Sequence, residues 1–86
     1  MSIILYSKDN CPYCVKAKML LERKGAKFTE IKVTTDALRQ EVIEKSGGRM
    51  TVPQIFINDF HVGGCDDLYA LNDKGELDKL LETSSQ

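Results

Sequence analysis

The sequence lacks several features that would point to whole classes of protein. Its net charge is only −1 over 86 residues, so no basic surface is available to hold nucleic acid or an anionic membrane. No apolar run approaches the roughly 20 residues that a membrane-spanning helix needs. The first residues also lack the basic segment and cleavage site of a signal peptide. We therefore expect a cytoplasmic protein that binds neither nucleic acid nor membrane.

Cysteine is scarce and odd in number. The chain has three cysteines, and an odd count argues against a framework of structural disulfides, which the reducing cytosol also disfavours. Two of them, Cys11 and Cys14, form the motif CPYC. That spacing is found in structural disulfides, in halves of metal sites and in redox pairs whose disulfide forms and breaks reversibly.

Repeats, low-complexity segments and linkers are absent as well. The chain is long enough for one small domain, and 42% of its residues are hydrophobic, which is an ordinary proportion for a globular protein. We predict one domain over residues 1–82 and a flexible polar tail over residues 83–86.

The predicted strands have two kinds of pattern. Residues 3–6 are a short, continuous apolar run, as in a strand buried on both faces, whereas residues 28–33 alternate as in a strand near a sheet edge. Residues 54–57 predict a further strand. Asn58-Asp59 predicts a hairpin turn before a return strand over residues 60–62.

The predicted helices lie between and after these strands. One runs over residues 12–24, a second follows a cap at Thr34 or Thr35, a short third spans residues 66–71, and a last one is amphipathic. In the first helix we place Val15 and Met19 on a second buried face. The order βαβαββα predicts an α/β fold, a four-stranded mixed sheet flanked by helices.

The position of CPYC favours a redox pair. Cys11 lies at the N-terminal edge of the first helix, where free N–H groups and the helix dipole stabilise a thiolate, and Lys8 adds a positive charge nearby. Cys14, one turn further, should be more buried, and Pro12 keeps the loop short. An exposed acidic thiol would then attack, and a second thiol would resolve the mixed disulfide.

A zinc site is the main structural alternative. Cys11, Cys14, His61 and Cys65 could form a Cys3His set. However, His61 and Cys65 straddle a strand end and a Gly-Gly turn, and the folding pattern supplies a core without metal. We therefore expect neither a bound metal nor a tightly bound cofactor.

Three motifs together carry a family resemblance. CPYC at residues 11–14, TVPQIFI at 51–57 and GGCDDL at 63–68 make the chain resemble the glutaredoxin family, in its dithiol, bacterial glutaredoxin 3 type. The resemblance covers residues 3 to about 81. It implies a thioredoxin fold and thiol–disulfide oxidoreductase activity with glutathione as co-substrate.

The resemblance also implies roles for individual residues. Cys11 would be the nucleophile and Cys14 the resolving thiol. The implied glutathione site comprises Lys8, Tyr13, Thr51, Val52, Pro53, Gly64, Cys65 and Asp66. In it a cis Pro53 would leave the Val52 backbone free to pair with an extended peptide. The N–H groups of Cys65 and Asp66 would receive the γ-glutamyl carboxylate at a helix start.

Other residues of the site have weaker assignments. Lys8, with Arg49 as a second-tier residue, would hold the glycyl carboxylate; Pro12 is also second-tier. Arg49 is in this class because Met50 stands where relatives often carry a polar or basic residue. A simple structural interpretation makes Tyr13 a surface aromatic, Lys8 a solvated charge, Asp67 a helix cap, Cys65 a packing residue and His61 a surface or half-buried residue.

Several functional alternatives stay open at this point. A thioredoxin-like protein that ignores glutathione is one, although the GGCDD turn speaks against it. A protein that binds zinc, or an iron–sulfur cluster, through Cys11 is another. For the redox enzyme we expect a monomer that acts on glutathionylated or disulfide-containing proteins, among which a ribonucleotide reductase would fit the family.

Overall fold

The computed structural model describes residues 2–84, which form four strands and four helices. In chain order they are β1 (Ile3–Ser7), α1 (Pro12–Arg23), β2 (Thr29–Lys32), α2 (Asp36–Lys45), β3 (Gln54–Ile57), β4 (Phe60–Gly63), α3 (Cys65–Asp73) and α4 (Glu76–Ser84). The predicted order βαβαββα is confirmed, with its last helical part in two pieces. Within the described range no helix is long and apolar enough to cross a membrane.

The predicted tail lies only partly within this range. Helix α4 continues through the backbone of residues 83 and 84, where the flexible tail was expected to begin. Residues 85 and 86 lie outside the described residues. The division into one domain and a tail therefore stays a prediction.

The sheet has the strand order β2-β1-β3-β4. Strand β1 pairs in parallel with β2, across the α1 crossover, and antiparallel with β3, while β3 and β4 form the expected hairpin. Ser7 at the end of β1 is paired with Lys32 of β2, and Tyr6 with Gln54 at the start of β3. The loops that follow β1 and precede β3 therefore meet at the same end of the sheet.

Apolar side chains cover both faces of the sheet. The larger cluster lies under α1, α3 and α4 and includes Leu5, Leu21, Ile55, Leu68 and Leu77, all fully buried. The smaller one, under α2, contains Tyr6, Val42 and Phe56. Burial of these groups supplies the main driving force for folding.

The prediction for Val15 and Met19 is wrong. These two residues are 50% and 53% exposed. Helix α1 packs against the sheet through the single face that carries Cys14, Ala17, Leu20 and Leu21. Because successive helical residues are turned by about 100°, Val15, next to Cys14, and Met19, next to Leu20, point away from the core.

Helix α1 begins and ends at residues suited to those positions. Pro12 occupies the first turn, where a missing N–H leaves nothing unpaired. Gly25 has a φ of +70°, and just beyond the helix the N–H of Ala26 bonds the carbonyl of Leu21 at 3.0 Å. These ends fix how far the cysteine-bearing tip of the helix projects from the sheet.

Helix α2 is held to the sheet by polar as well as apolar contacts. Thr35 caps it by accepting the N–H of Leu38 at 3.2 Å. The hydroxyl of Tyr6, under the helix, donates to Glu41 Oε2 at 2.5 Å and accepts from Lys45 Nζ at 3.2 Å. Burial raises the pKa of Tyr6, so its hydroxyl keeps its proton for that bond. These contacts fix the orientation of α2 on the sheet, and therefore which of its residues face outward.

Candidate active site

Cys11 and Cys14 form a disulfide at the start of α1, with their Cα atoms 5.2 Å apart. Cys11 is the N-cap residue of the helix, and its Sγ accepts the N–H of Cys14 at 3.2 Å. Cys11 remains partly exposed, whereas only 1% of Cys14 is accessible. The geometry therefore has the asymmetry that we expected of a redox pair.

The loop before β3 lies against these cysteines. The Val52 carbonyl oxygen is 3.9 Å from Cys11 Sγ, and the Val52–Pro53 peptide bond is cis, as the resemblance implied. The loop is supported by a buried amide, because Gln54 donates through Nε2 to Thr51 Oγ1 at 3.2 Å. His61 Nε2 lies 2.7 Å from Oε1 of the same Gln54.

His61 thus occupies a structural position. Its ring stacks on Phe56, with the ring centres 4.8 Å apart, and it is half-buried, as we expected. Burial lowers the pKa of His61, with a smaller contribution from the charge of Arg49. The neutral imidazole supports the Gln54 side chain that in turn contacts the loop.

A depression of about 150 Å³, which we call the α3 pocket, opens between this loop and the start of α3. It is lined by Tyr13, Arg49, Thr51, Val52, Pro53, Gly64, Cys65, Asp66 and Asp67. The structure therefore brings together every residue of the implied glutathione site except Lys8. The N-terminus of α3, which begins at Cys65, lines this space, and the free backbone N–H groups of a helix start suit an anion.

Lys8 lines a second depression, of about 410 Å³, which we call the α2 pocket. It shares Thr51 and Val52 with the α3 pocket, so the two adjoin along that loop. Arg39 of α2 lines it as well, a residue that we did not predict from the sequence. An exposed arginine on a helix carries no local signal; only the packing of α2 places it with Lys8.

Arg49 does not join Lys8. Its Nη1 donates to Asp67 Oδ2 at 3.1 Å, and the same oxygen accepts the N–H of Gly64 at 2.9 Å. The bond from Gly64 and, to a smaller extent, the Arg49 guanidinium hold the pKa of Asp67 below its ordinary value. Asp67 is therefore a cap of α3, as we expected, that also ties the loop carrying Arg49 to the helix.

We expect Asp67→Asn to reveal this ion pair through the pH dependence of stability. The folded-state pKa of Asp67 is depressed, so its contribution is present above the unfolded value of about 3.9 and lost as the pH falls through the folded value. Because the pair is about half exposed, the loss at pH 7 should be only about 0.5 kcal/mol. Urea unfolding of both proteins at pH 7 and at acidic pH measures it; a difference that grows on acidification would contradict the assignment.

Cys65 is buried beside the α3 pocket and takes no part in a disulfide. Burial raises the pKa of its thiol, and the neighbouring Asp66 charge adds to this effect. A protonated buried thiol packs as a small apolar group. Within residues 2–84 no three histidine, cysteine or acidic side chains lie close enough to hold a metal ion. The Cys3His alternative is thus not favoured.

Comparison with known proteins agrees with this geometry. The family model described as glutaredoxin matches residues 3–62. Glutaredoxin 3 of Escherichia coli K12 is 51% identical over 94% of this chain and 98% of its own length. The chain belongs to the glutaredoxin family. It is therefore a thiol–disulfide oxidoreductase of that family.

Solved members of the family share the fold. The solution structure of a Brucella melitensis glutaredoxin superposes with a TM-score of 0.85 at 58% identity, covering 96% of this chain and 90% of that one. A crystal structure of a buckwheat glutaredoxin–glutathione complex gives 0.89 at 30% identity, covering 96% and 78%. The predicted α/β thioredoxin fold is confirmed.

Proposed function

We propose that this enzyme uses glutathione to reduce protein–glutathione mixed disulfides and protein disulfides. The main support for this proposal is the Cys11–Cys14 pair at the tip of α1. The partly exposed Cys11 lies beside the Val52 backbone, which also lines the adjoining α3 and α2 pockets. The glutathione bound by the buckwheat relative supports the same ligand here.

The two pockets suit the two ends of the tripeptide. The γ-glutamyl carboxylate would accept hydrogen bonds from the N–H groups of Cys65 and Asp66 at the start of α3. The Asp66 carboxylate would accept a hydrogen bond from the ligand's ammonium. The glycyl carboxylate would lie at the other end, between Lys8 and Arg39 in the α2 pocket. Arg39 replaces Arg49 in this role, since Arg49 is engaged by Asp67.

Thr51, Val52 and Pro53 would line the middle of the ligand. The Val52 backbone would pair with the extended peptide, as a strand would. The Tyr13 ring, which is 58% exposed, would flank the glutathione sulfur. Pro12 would act indirectly, by fixing the first turn that carries Cys11.

The reaction needs two exchanges for a glutathionylated substrate. The Cys11 thiolate attacks the glutathione sulfur, a Cys11–glutathione disulfide forms, and the electron pair leaves on the substrate sulfur, which takes a proton from water. A second glutathione thiolate then attacks the sulfur of the bound glutathione and releases Cys11. A thiol held at low pKa favours both attack at neutral pH and departure.

Protein disulfides would use both cysteines. Cys11 attacks one substrate sulfur, Cys14 then attacks Cys11, and the enzyme closes as the disulfide seen in the structure. We also propose that the enzyme is a monomer and acts in the cytoplasm. Disulfide-containing or glutathionylated proteins, a ribonucleotide reductase among them, remain the proposed partners.

The Cys14→Ser variant tests this proposal directly. Incubated with oxidised glutathione near neutral pH, it should gain one glutathione, and peptide masses should locate it on Cys11. The Cys11→Ser variant is the matched control and should gain none there. The absence of an adduct, or an adduct on Cys65 alone, would overturn the proposed site and turn attention to a thioredoxin-like enzyme or to metal binding through Cys11.

A further inference from the structure

A third cavity, of about 580 Å³, opens beside the active cysteines, and of the residues proposed above to contact glutathione it is lined by Lys8 and Cys11. We call it the α1 cavity. Both Cys11 and Cys14 line it, together with Lys18 of α1 and Glu30 of β2. Cys14 and a pair of ionised side chains therefore line the same cavity.

These side chains form an organised network. Glu30 Oε2 accepts the hydroxyl of Ser7 at 2.6 Å and Lys18 Nζ at 2.9 Å, and Ser7 itself is fully buried. Only 27% of each side chain of the Lys18–Glu30 pair is exposed. Charges in such a position are screened less by water and salt than charges on an open surface.

The remaining charged groups around the cavity are more exposed. From the loop after β1 come Lys8 and Asp9, and from β2 comes Lys32, which pairs with Asp9 at 2.8 Å. The side chains of that second pair are 53% and 73% exposed. The less screened field at the cavity therefore comes from Lys18 and Glu30.

Cys14 needs such a field to react. Its thiolate would form in a side chain that is 1% exposed, and burial disfavours a charge. The helix terminus does not compensate for this, because the N–H of Cys14 itself points to Cys11 Sγ. Lys18 lies four residues after Cys14, on the same side of α1, and is the cation of that helix that lines the cavity.

We propose that the Lys18–Glu30 pair governs the ionisation of Cys14, and with it the rate at which the Cys11–Cys14 disulfide closes and opens. The Lys18 ammonium favours the Cys14 thiolate, whereas the Glu30 carboxylate holds Lys18 in place and moderates its effect. Both are positioning residues that act through Cys14. The inference rests on the proposed function, in which Cys14 resolves a mixed disulfide on Cys11.

The step is an ordinary thiol–disulfide exchange. In closure, the Cys14 thiol gives its proton to water in the cavity, the thiolate attacks Cys11 Sγ, and the electron pair leaves on the glutathione or substrate sulfur. In opening, glutathione thiolate attacks Cys11, and the pair returns to Cys14, which takes up a proton. No other oxidant or reductant enters.

The test follows closure after the reduced enzyme is mixed with oxidised glutathione. Acid quenching and intact mass give the lifetime of the Cys11–glutathione adduct at each pH. Lys18→Met should raise the apparent pKa of closure by about one unit. It should slow closure about threefold at neutral pH, because a less acidic thiol is also a better nucleophile once ionised. Glu30→Gln, which keeps an oxygen for Lys18, should shift both quantities in the opposite direction.

Opposite changes in the closure rates of Lys18→Met and Glu30→Gln would distinguish an effect of charge from an effect of packing. If the pair were merely structural, both variants would slow closure, and the proposal would fail; equal rates in all proteins would overturn it too. Lys18→Arg should restore the wild-type profile. Lys24→Met is the matched control, since Lys24 also makes a 2.9 Å ion pair, with Asp78, and is 25% exposed. It should leave closure unchanged.

The Cys14→Ser background completes the design. There, Lys18→Met should leave the rate of adduct formation on Cys11 unchanged within about twofold. An equal loss in that background would show that Lys18 acts on Cys11 and would overturn this inference alone. If no adduct formed in any protein, the proposed function itself would fail, which is a different result.

Discussion

Replacing Cys11 by serine should abolish both exchange routes, whereas replacing Cys14 should abolish only one. Cys11 Sγ is partly exposed at the helix tip, and a serine hydroxyl there is not ionised at neutral pH. We expect the reduction of glutathionylated peptides and of protein disulfides to fall at least about a thousandfold in Cys11→Ser. Cys14→Ser should retain the first activity and lose the second.

The measurement compares two substrates for the same two variants. Release of glutathione from a glutathionylated peptide reports the route that needs Cys11 alone, and reduction of an intramolecular protein disulfide reports the route that needs both cysteines. Each variant serves as the other's control for folding, which circular dichroism checks. If Cys14→Ser lost both activities, the two thiols would not have separate roles.

The sequence was sufficient for features that depend on local chemistry. A run of β-branched and apolar residues predicted the central strand, Asn58-Asp59 predicted the hairpin, and both turn residues have positive φ, at 47° and 68°. The CPYC spacing before a helix predicted an exposed Cys11 and a buried Cys14. In these cases, neighbouring residues alone determine the backbone and the chemistry.

Features that depend on packing could not be predicted in this way. Arg39 shares a pocket with Lys8 only because α2 packs on the sheet face that carries Tyr6 and Phe56, and nothing near Arg39 in the sequence indicates it. Val15 and Met19 follow the apolar pattern of a buried face, yet α1 is covered on one side only. The Arg49–Asp67 pair joins a loop and a helix, and the two side chains lie 18 residues apart in the sequence.

We expect a second large effect for Gly63→Ala, because the Asp67 side chain packs closely against the turn that carries Gly63. Gly63 has a φ of +113°, which side-chain-bearing residues rarely adopt, and a Cβ there would collide with the Asp67 carboxylate. Asp67 would have to move away from the Gly64 N–H and from Arg49. We expect a loss of about 2–4 kcal/mol in the free energy of unfolding. The KM for glutathionylated peptides should rise roughly tenfold, because the start of α3 helps to form the α3 pocket.

Gly48→Ala is the control that distinguishes backbone strain from a collision of the added Cβ. Gly48 has a similar φ, +108°, but a Cβ there would meet no atom within 4 Å. That variant should lose only about 1–2 kcal/mol, the cost of the backbone conformation itself, and should keep its KM within about twofold. Urea unfolding and steady-state kinetics on both variants give the comparison. If the two behaved alike, the collision of a Cβ at position 63 with Asp67 would not matter for the pocket, and backbone strain would account for the whole effect.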